Sequence, residues 1–329
     1  MTYRFFVNQF IHPLIIYVLI GTCISYLLVC LIARFPAYRD SRSRAIIFGI
    51  PFIIPLLAYI LFRPFMISGC LLFIKPFGYI NDILCNAGTA LATIFTPLFF
   101  VVVVFAVAKA GLSIYASRKI KRKYGFSSAD DCPRLFSLLK NLCSLGNIRV
   151  PGIIVTKDGF ARSFTMGYRK PVIVLSEGLI NALDDEELET VVAHELGHIV
   201  RADSLLTWLT VFLRDLMFFT PLVFWIFRDL TAEKEKASDD YAINLTGKPM
   251  AFAQALIKVW RLSPRTFFDN ILLDNYMPQP NFVGHSGILE HRVKRILDNE
   301  HRVQNKSWLA YTAVLIVAGL SISALYLFC

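Results

Sequence analysis

Residues 308–328, WLAYTAVLIVAGLSISALYLF, run for 21 positions without a charge. In hydrocarbon, an unpaired backbone N–H or C=O is costly, so a lone segment of this kind can cross a bilayer only as a helix. Three further runs have the same character: 14–33, 45–62 and 87–108, the last extendable to 116. With 56% of its 329 residues hydrophobic, the chain is too apolar for one soluble domain. Leu14 to Ala33 has no small-residue cleavage site behind it and reads as a retained anchor. The expected fold is a mostly α membrane protein with four transmembrane helices.

The net charge of +10 would suggest nucleic acid in a soluble protein. Here the basic residues cluster beside apolar runs, and no aromatic-basic recognition motif accompanies them. No nucleic-acid partner is expected. Loop 34–44, RFPAYRDSRSR, holds four arginines and one aspartate, and RKIKRK, 118–123, holds five basic residues in six. Loop 63–86 has only Arg63, Lys75 and Asp82. Positive loops stay inside. This predicts a multi-pass protein of the inner or plasma membrane, with both termini and loop 63–86 outside and residues 117–307 cytoplasmic. The expected divisions are therefore 1–116, 117–307 and 308–329.

Seven cysteines form no C-x-x-C pair. Cys70 and Cys85 share the outer loop, where a disulfide and two free thiols are both open readings. The apolar tract MISGCLLFI, 66–74, suggests that this loop lies on the membrane.

In the polar part, GIIVT (152–156), SFTMG (163–167) and PVIVL (171–175) read as strands. LDDEELETVVAHELGHIVRADSL reads as a long helix, with Asp184 as N-cap and Glu187 completing a capping box. Residues 204–227 are long enough to span but carry Arg214, Asp215 and Pro221. They read as a buried or membrane-grazing helix pair, because a lipid-facing charge in mid-span is costly.

The stretch HELGH carries the chemistry. On a helix, positions i and i+4 share a face about 6 Å apart along the axis, so His194 and His198 can bind one metal ion. Glu195 stands beside that face as a candidate base. Zinc lowers the pKa of a bound water to about 7, which makes hydroxide available at neutral pH. A catalytic site needs a third ligand and an open position. EKEKASDDYAI, 233–243, offers Glu235, 37 residues after His198. Asp239, one turn on, could hold the second nitrogen of a ligating histidine. Glu233 is the rival ligand, but position 237 is alanine, so it has no acidic partner four residues on.

HELGHIVRAD followed by TPLVFWIFRDLTAEKEKASDDYAI resembles the BlaR/MecR antirepressor family of membrane zinc metallopeptidases. FTMGYRKPVIVL, 164–175, looks like that family's strand pair. The resemblance implies a zincin-like α+β protease domain inserted between the third and fourth spans. It further implies Zn2+ on His194, His198 and Glu235, with regulated cleavage of a cytoplasmic regulator as the role. The family's penicillin-binding sensor domain has no counterpart before Cys329. Input would then come from the outer loop, the membrane or a regulatory membrane partner.

HtpX-like and CAAX-processing peptidases share the HExxH…ExxxD logic and a late His-Pro…Arg element. HSGILEHRVKRIL, 285–297, is similar, with Ser286 in place of the proline and one extra residue of spacing. By that resemblance His285 and Arg292 would bind the peptide carbonyl or the oxyanion. A loop histidine and a solvated helical arginine are the plainer reading. Three functions compete: a regulatory protease acting on protein or peptide at the membrane face, a housekeeping membrane protease, and a scaffold with a vestigial metal site. A base beside the ligands speaks against the scaffold, because a structural site does not need one.

Overall fold

The structure is a computed structural model and describes residues 3, 6–38, 40–62, 78–128, 131–263, 286–298 and 307–328. His285 and Cys70 lie outside the described residues, as does the Cys85 side chain. The chain is mostly helical and divides into two units. One comprises residues 1–108, 210–230 and 305–329. The other comprises 109–209 and 231–304.

In the first unit, α1 (His12–Ile32) continues a short π-helical turn, and Pro13 sits in its first turn, where no N–H is needed. Helix α2 (Ser41–Phe62) starts on Asp40, whose carboxylate accepts from the Ser43 N–H and hydroxyl, both at 3.0 Å. Val18, Val29, Ile47 and Phe52 pack with Ala313 and Val317 of α11 (Ser307–Phe328). The opposite faces, including Leu27 and Ile60, are exposed apolar surface of the kind lipid covers.

Helix α3 (Gly78–Tyr124) has 47 residues and is about 70 Å long by helical rise. It takes in residues 78–86, which the sequence reading left in the outer loop. Apolarity sets only where such a helix meets lipid, and backbone hydrogen bonding continues it at both ends. Among the described residues, three helical stretches are long and apolar enough to cross a membrane: His12–Ile32, Ser41–Leu61 and Ala92–Tyr124. The apolar part of α11 counted by the same test, Tyr311–Ala324, is shorter.

The second unit begins its globular part with α4 (Pro133–Leu145) and a three-stranded sheet in the order β1-β3-β2. Strand β1 (Gly152–Thr156) runs parallel to β3 (Val172–Ser176), and β2 (Ser163–Met166) runs antiparallel to it. The β-branched centre of β3 suits its place between two neighbours, and all five of its residues are buried. Strand β2 is an edge. Its period of two puts Phe164 and Met166 into a small cluster with Ile154 and Val174. Ser163 and Thr165 point the other way, opposite Leu175 and Ile173, which belong to the main core of this unit.

Strand β3 passes into α5 (Glu177–Ala182) at Ser176, whose hydroxyl caps the helix at Leu179 N (3.2 Å) and donates to Phe160 O (2.6 Å). Gly178 is forced: a Cβ there would lie 2.2 Å from the carbonyl oxygen of Gly159. Helix α6 (Asp185–Val200) opens with the expected capping box. Glu187 N donates to Asp184 Oδ1 at 2.9 Å, and Asp184 N donates to Glu187 Oε2 at 3.0 Å.

Residues 204–227 fall in two helices, α7 (Asp203–Leu216) and the start of α8 (Leu222–Thr246). Arg214 pairs with its neighbour Asp215 at 2.7 Å, so the mid-run charges satisfy one another. Helices α6 and α7 pass the membrane-crossing test only as a pair, bent by 62°. Ala202 takes a positive φ of 53° at the bend. Helix α9 (Pro249–Leu262) packs on α6, and α10 (Ser286–Leu297) packs on α9.

Candidate metal centre

One turn of α6 puts His194 and His198 on the face toward α8. Gly197 allows the close approach, since a Cβ there would meet Tyr241 and the Ser238 backbone at 3.2–3.3 Å. The approach brings Glu235 to both histidines, and ligand atoms of the three lie within 4.8 Å of one another. His194 Nε2 is 3.2 Å from His198 Nε2. Glu235 Oε2 and Oε1 are each 3.6 Å from one of those nitrogens.

The far side of each ring is also fixed. His194 Nδ1 lies 3.1 Å from Asp239 Oδ1, and His198 Nδ1 lies 2.8 Å from Asp203 Oδ2. A carboxylate beside Nδ1 holds the proton there and leaves a lone pair on Nε2. Two such lone pairs then face each other, next to a buried carboxylate. Neither oxygen of Glu235 accepts a hydrogen bond among the described residues. The two facing lone pairs repel each other unless a cation lies between them. The Nε2 separation also matches the ~3.3 Å that tetrahedral geometry gives two nitrogens bound to one zinc ion. The residues present therefore fit a zinc ion.

Charge around the cluster is interleaved. Arg292 of α10 is buried. It donates to Asp239 from Nε at 2.9 Å and from Nη2 at 2.6 Å, and its Nη1 is 3.2 Å from Glu235 Oε2. Arg201 donates to Asp203 Oδ2 at 2.6 Å and also reaches Ser238, whose hydroxyl lies 3.0 Å from His198 Nδ1. Lys234 is buried against Thr207. Burial pushes its ammonium down to about 8, against the pull of Asp203 and Glu235.

Burial pushes the His194 imidazole down to about 3, although Asp239 opposes this. Burial would raise the Asp239 carboxyl, but Arg292 and His194 outweigh it and hold the group well below the usual carboxylate range. Asp203 is held low in the same way by Arg201 and His198. Burial pushes the Glu235 carboxyl up, with Arg292 and His198 opposing.

Glu195 is buried beside this cluster and fixed at both oxygens. Ser163 Oγ donates to Oε1 at 2.8 Å, and Thr165 Oγ1 donates to Oε2 at 2.7 Å. The rival ligand Glu233 takes a salt bridge from Lys236 at 3.0 Å and is not among the three converging residues. Arg292 is committed to carboxylates, an arrangement that the oxyanion reading does not require. Sequence reasoning gave no role to Ser163, Thr165, Arg201 or Asp203. The readable signal for the first two was a strand with hydroxyls at alternate positions.

The BlaR1 peptidase M56 family model matches residues 86–272, more than half of the chain and all three converging residues. The chain belongs to the BlaR1 peptidase M56 family. Curated relatives of this M56 chain include proteases named HtpX homologues. An HtpX homologue of Methanothermobacter thermautotrophicus is 28% identical over 217 residues, covering 57% of this chain and 83% of the relative. One of Trichormus variabilis is 33% identical over 100 residues, covering 30% of this chain and only 32% of the relative's own length. The crystal structure of S. mikatae Ste24p covers 90% of this chain and 99% of its own at 15% identity. Its TM-score of 0.38 is too low to carry an argument. With its apolar helices, this is a membrane protein of a peptidase family.

Proposed function

We propose that the chain is a membrane zinc metalloendopeptidase that cleaves protein substrates at the cytoplasmic membrane face in regulated proteolysis. The observation that carries this reading is the pair of Nε2 atoms facing each other and Glu235, with a carboxylate behind each ring. His194, His198 and Glu235 would hold the zinc, leaving a fourth position open. Zinc bound there supplies a Lewis acid that polarises a carbonyl and lowers the pKa of a water. Glu195 takes the proton of the attacking water on its carboxylate and later gives it to the leaving amine. Asp239 and Asp203 orient the two rings, and Arg292 neutralises Asp239 and Glu235. Strand β2, which pairs on one side with β3, would offer its outer edge to an extended peptide.

The charge distribution of the loops supports a multi-pass inner or plasma membrane protein with residues 117–307 in the cytoplasm and both termini outside. A housekeeping membrane protease of the HtpX or CAAX-processing sort is the second reading, and matched relatives carry the name protease HtpX homolog. Comparing protein N-termini in cells expressing the native chain or Glu195→Gln tests both. Loss of one or a few cytoplasmic neo-termini in the variant supports regulated cleavage. Loss of many from membrane proteins supports housekeeping. Matching samples with zinc bound in both count against catalysis.

A further inference from the structure

The cluster contains a problem of choice. Two buried glutamates of equal length, Glu195 and Glu235, interact electrostatically with each other and with Arg292. Either carboxylate is a good zinc ligand. If both bound, with the two histidines, the coordination shell would close and no position would remain for water.

The two are held in opposite ways. Glu235 accepts no hydrogen bond among the described residues, and its ion pair with Arg292 engages Oε2 at 3.2 Å, which leaves Oε1 open to a metal. Glu195 has one hydroxyl on each oxygen, from Ser163 and Thr165. These sit at alternate positions of β2, about 6.8 Å apart along the strand, and so grip the carboxylate from two points. Each carboxylate oxygen can accept two hydrogen bonds, so one lone pair on each remains for a proton. The grip restricts where the group goes without blocking its use as a base.

We infer that Ser163 and Thr165 are positioning residues that tether Glu195 to β2 and keep it out of the metal's coordination shell. The inference rests on the zinc reading above. It assigns the open fourth position to two hydroxyls on an edge strand. With both hydroxyls gone, the buried Glu195 carboxylate loses two side-chain donors, and a metal in the neighbouring cluster offers it a counter-charge.

The test uses the purified full chain in detergent, loaded with cobalt(II), whose visible absorption reports ligand number. Wild type is compared with Ser163→Ala, Thr165→Val, the double variant, and Thr165→Ser. The double variant should bind cobalt at least as tightly as wild type, with an altered spectrum. Its kcat on a cleaved peptide should fall about 10- to 100-fold, with a smaller change in KM. Adding Glu195→Gln to the double variant should return the spectrum to that of wild type, and Thr165→Ser should match wild type throughout. If the double variant does not fold, Thr165→Val alone, with one tether removed, should show a partial spectral change. An unchanged spectrum with cobalt bound overturns the inference and leaves the metal site standing. So does a fall in cobalt affinity alongside a lower Tm, which marks ordinary structural support. Failure of wild type to bind one cobalt overturns the metal reading, and the inference with it.

Discussion

Arg292 holds Asp239 through two parallel hydrogen bonds, Nε to Oδ2 at 2.9 Å and Nη2 to Oδ1 at 2.6 Å. Its remaining nitrogen, Nη1, lies 3.2 Å from Glu235 Oε2. One planar guanidinium thus neutralises a metal-ligand candidate and the carboxylate that orients His194, two groups one helical turn apart. A fork of this shape is specific to arginine.

Replacing Arg292 by methionine leaves two like charges buried together. The metal-free chain should lose about 3–5 kcal/mol of stability, and bound metal should recover part of it. Lysine should fall between, because a point charge cannot bridge both carboxylates. Thermal melting in detergent and metal titration check this. A variant that kept full stability and metal but lost kcat would instead return Arg292 to an oxyanion role.

Asp203→Asn keeps an acceptor near His198 Nδ1 but removes the charge that Arg201 and His198 hold. Zinc affinity should fall about 10- to 100-fold. Asp239→Asn should act alike on His194. Competition with a chromophoric chelator measures both.

In the metal-free chain, His194 has a folded pKa of about 3 against an ordinary 6.5. The unfolded state therefore takes up the proton first as pH falls. Stability is intact above about 6.5 and is lost progressively toward 3, at up to about 1.4 kcal/mol per pH unit. The low pKa values of Asp203 and Asp239 add losses of the same sign, beginning only below the ordinary carboxylate value of 3.8. Melting curves of chelator-treated protein between pH 7.5 and about 4.5 should show the decline. His194→Gln should flatten it.

Gly178→Ala tests the turn that leads into the site. The new Cβ would meet Gly159 backbone atoms at 2.2 and 2.5 Å, which no side-chain rotation relieves. A loss of roughly 1–3 kcal/mol is expected, with metal stoichiometry kept. A neutral result would mean that the loop before β2 yields freely.

The sequence is most readable where neighbours along the chain do the work. The i, i+4 spacing of His194 and His198, the one-turn step from Glu235 to Asp239 and the Asp184–Glu187 capping box are all local periodicities. Contacts between distant elements left no such trace. Ser163 and Thr165 meet Glu195 only because β2 lies over α6, and nothing local distinguishes them from polar residues of any edge strand. Arg292 was visible as a basic residue on an amphipathic helix, but its partners lie on α8. The early start of α3 at Gly78 escaped a reading based on apolarity, because polar residues such as Asn81 and Asp82 do not stop a helix.

The order of these parts along the chain has a consequence for the cell that makes it. The two histidines lie together in α6, yet the arginine that neutralises the carboxylates around them follows 94 residues after His198. At ~5–20 residues per second, the ribosome delivers Arg292 roughly 5–20 seconds later. Glu235 and Asp239 are made within that interval, 57 and 53 residues before Arg292, and stand without their common counter-charge for roughly 3–11 seconds. The acidic side of the cluster is thus translated before the cation that balances it, and the cluster can close only once α10 has been made.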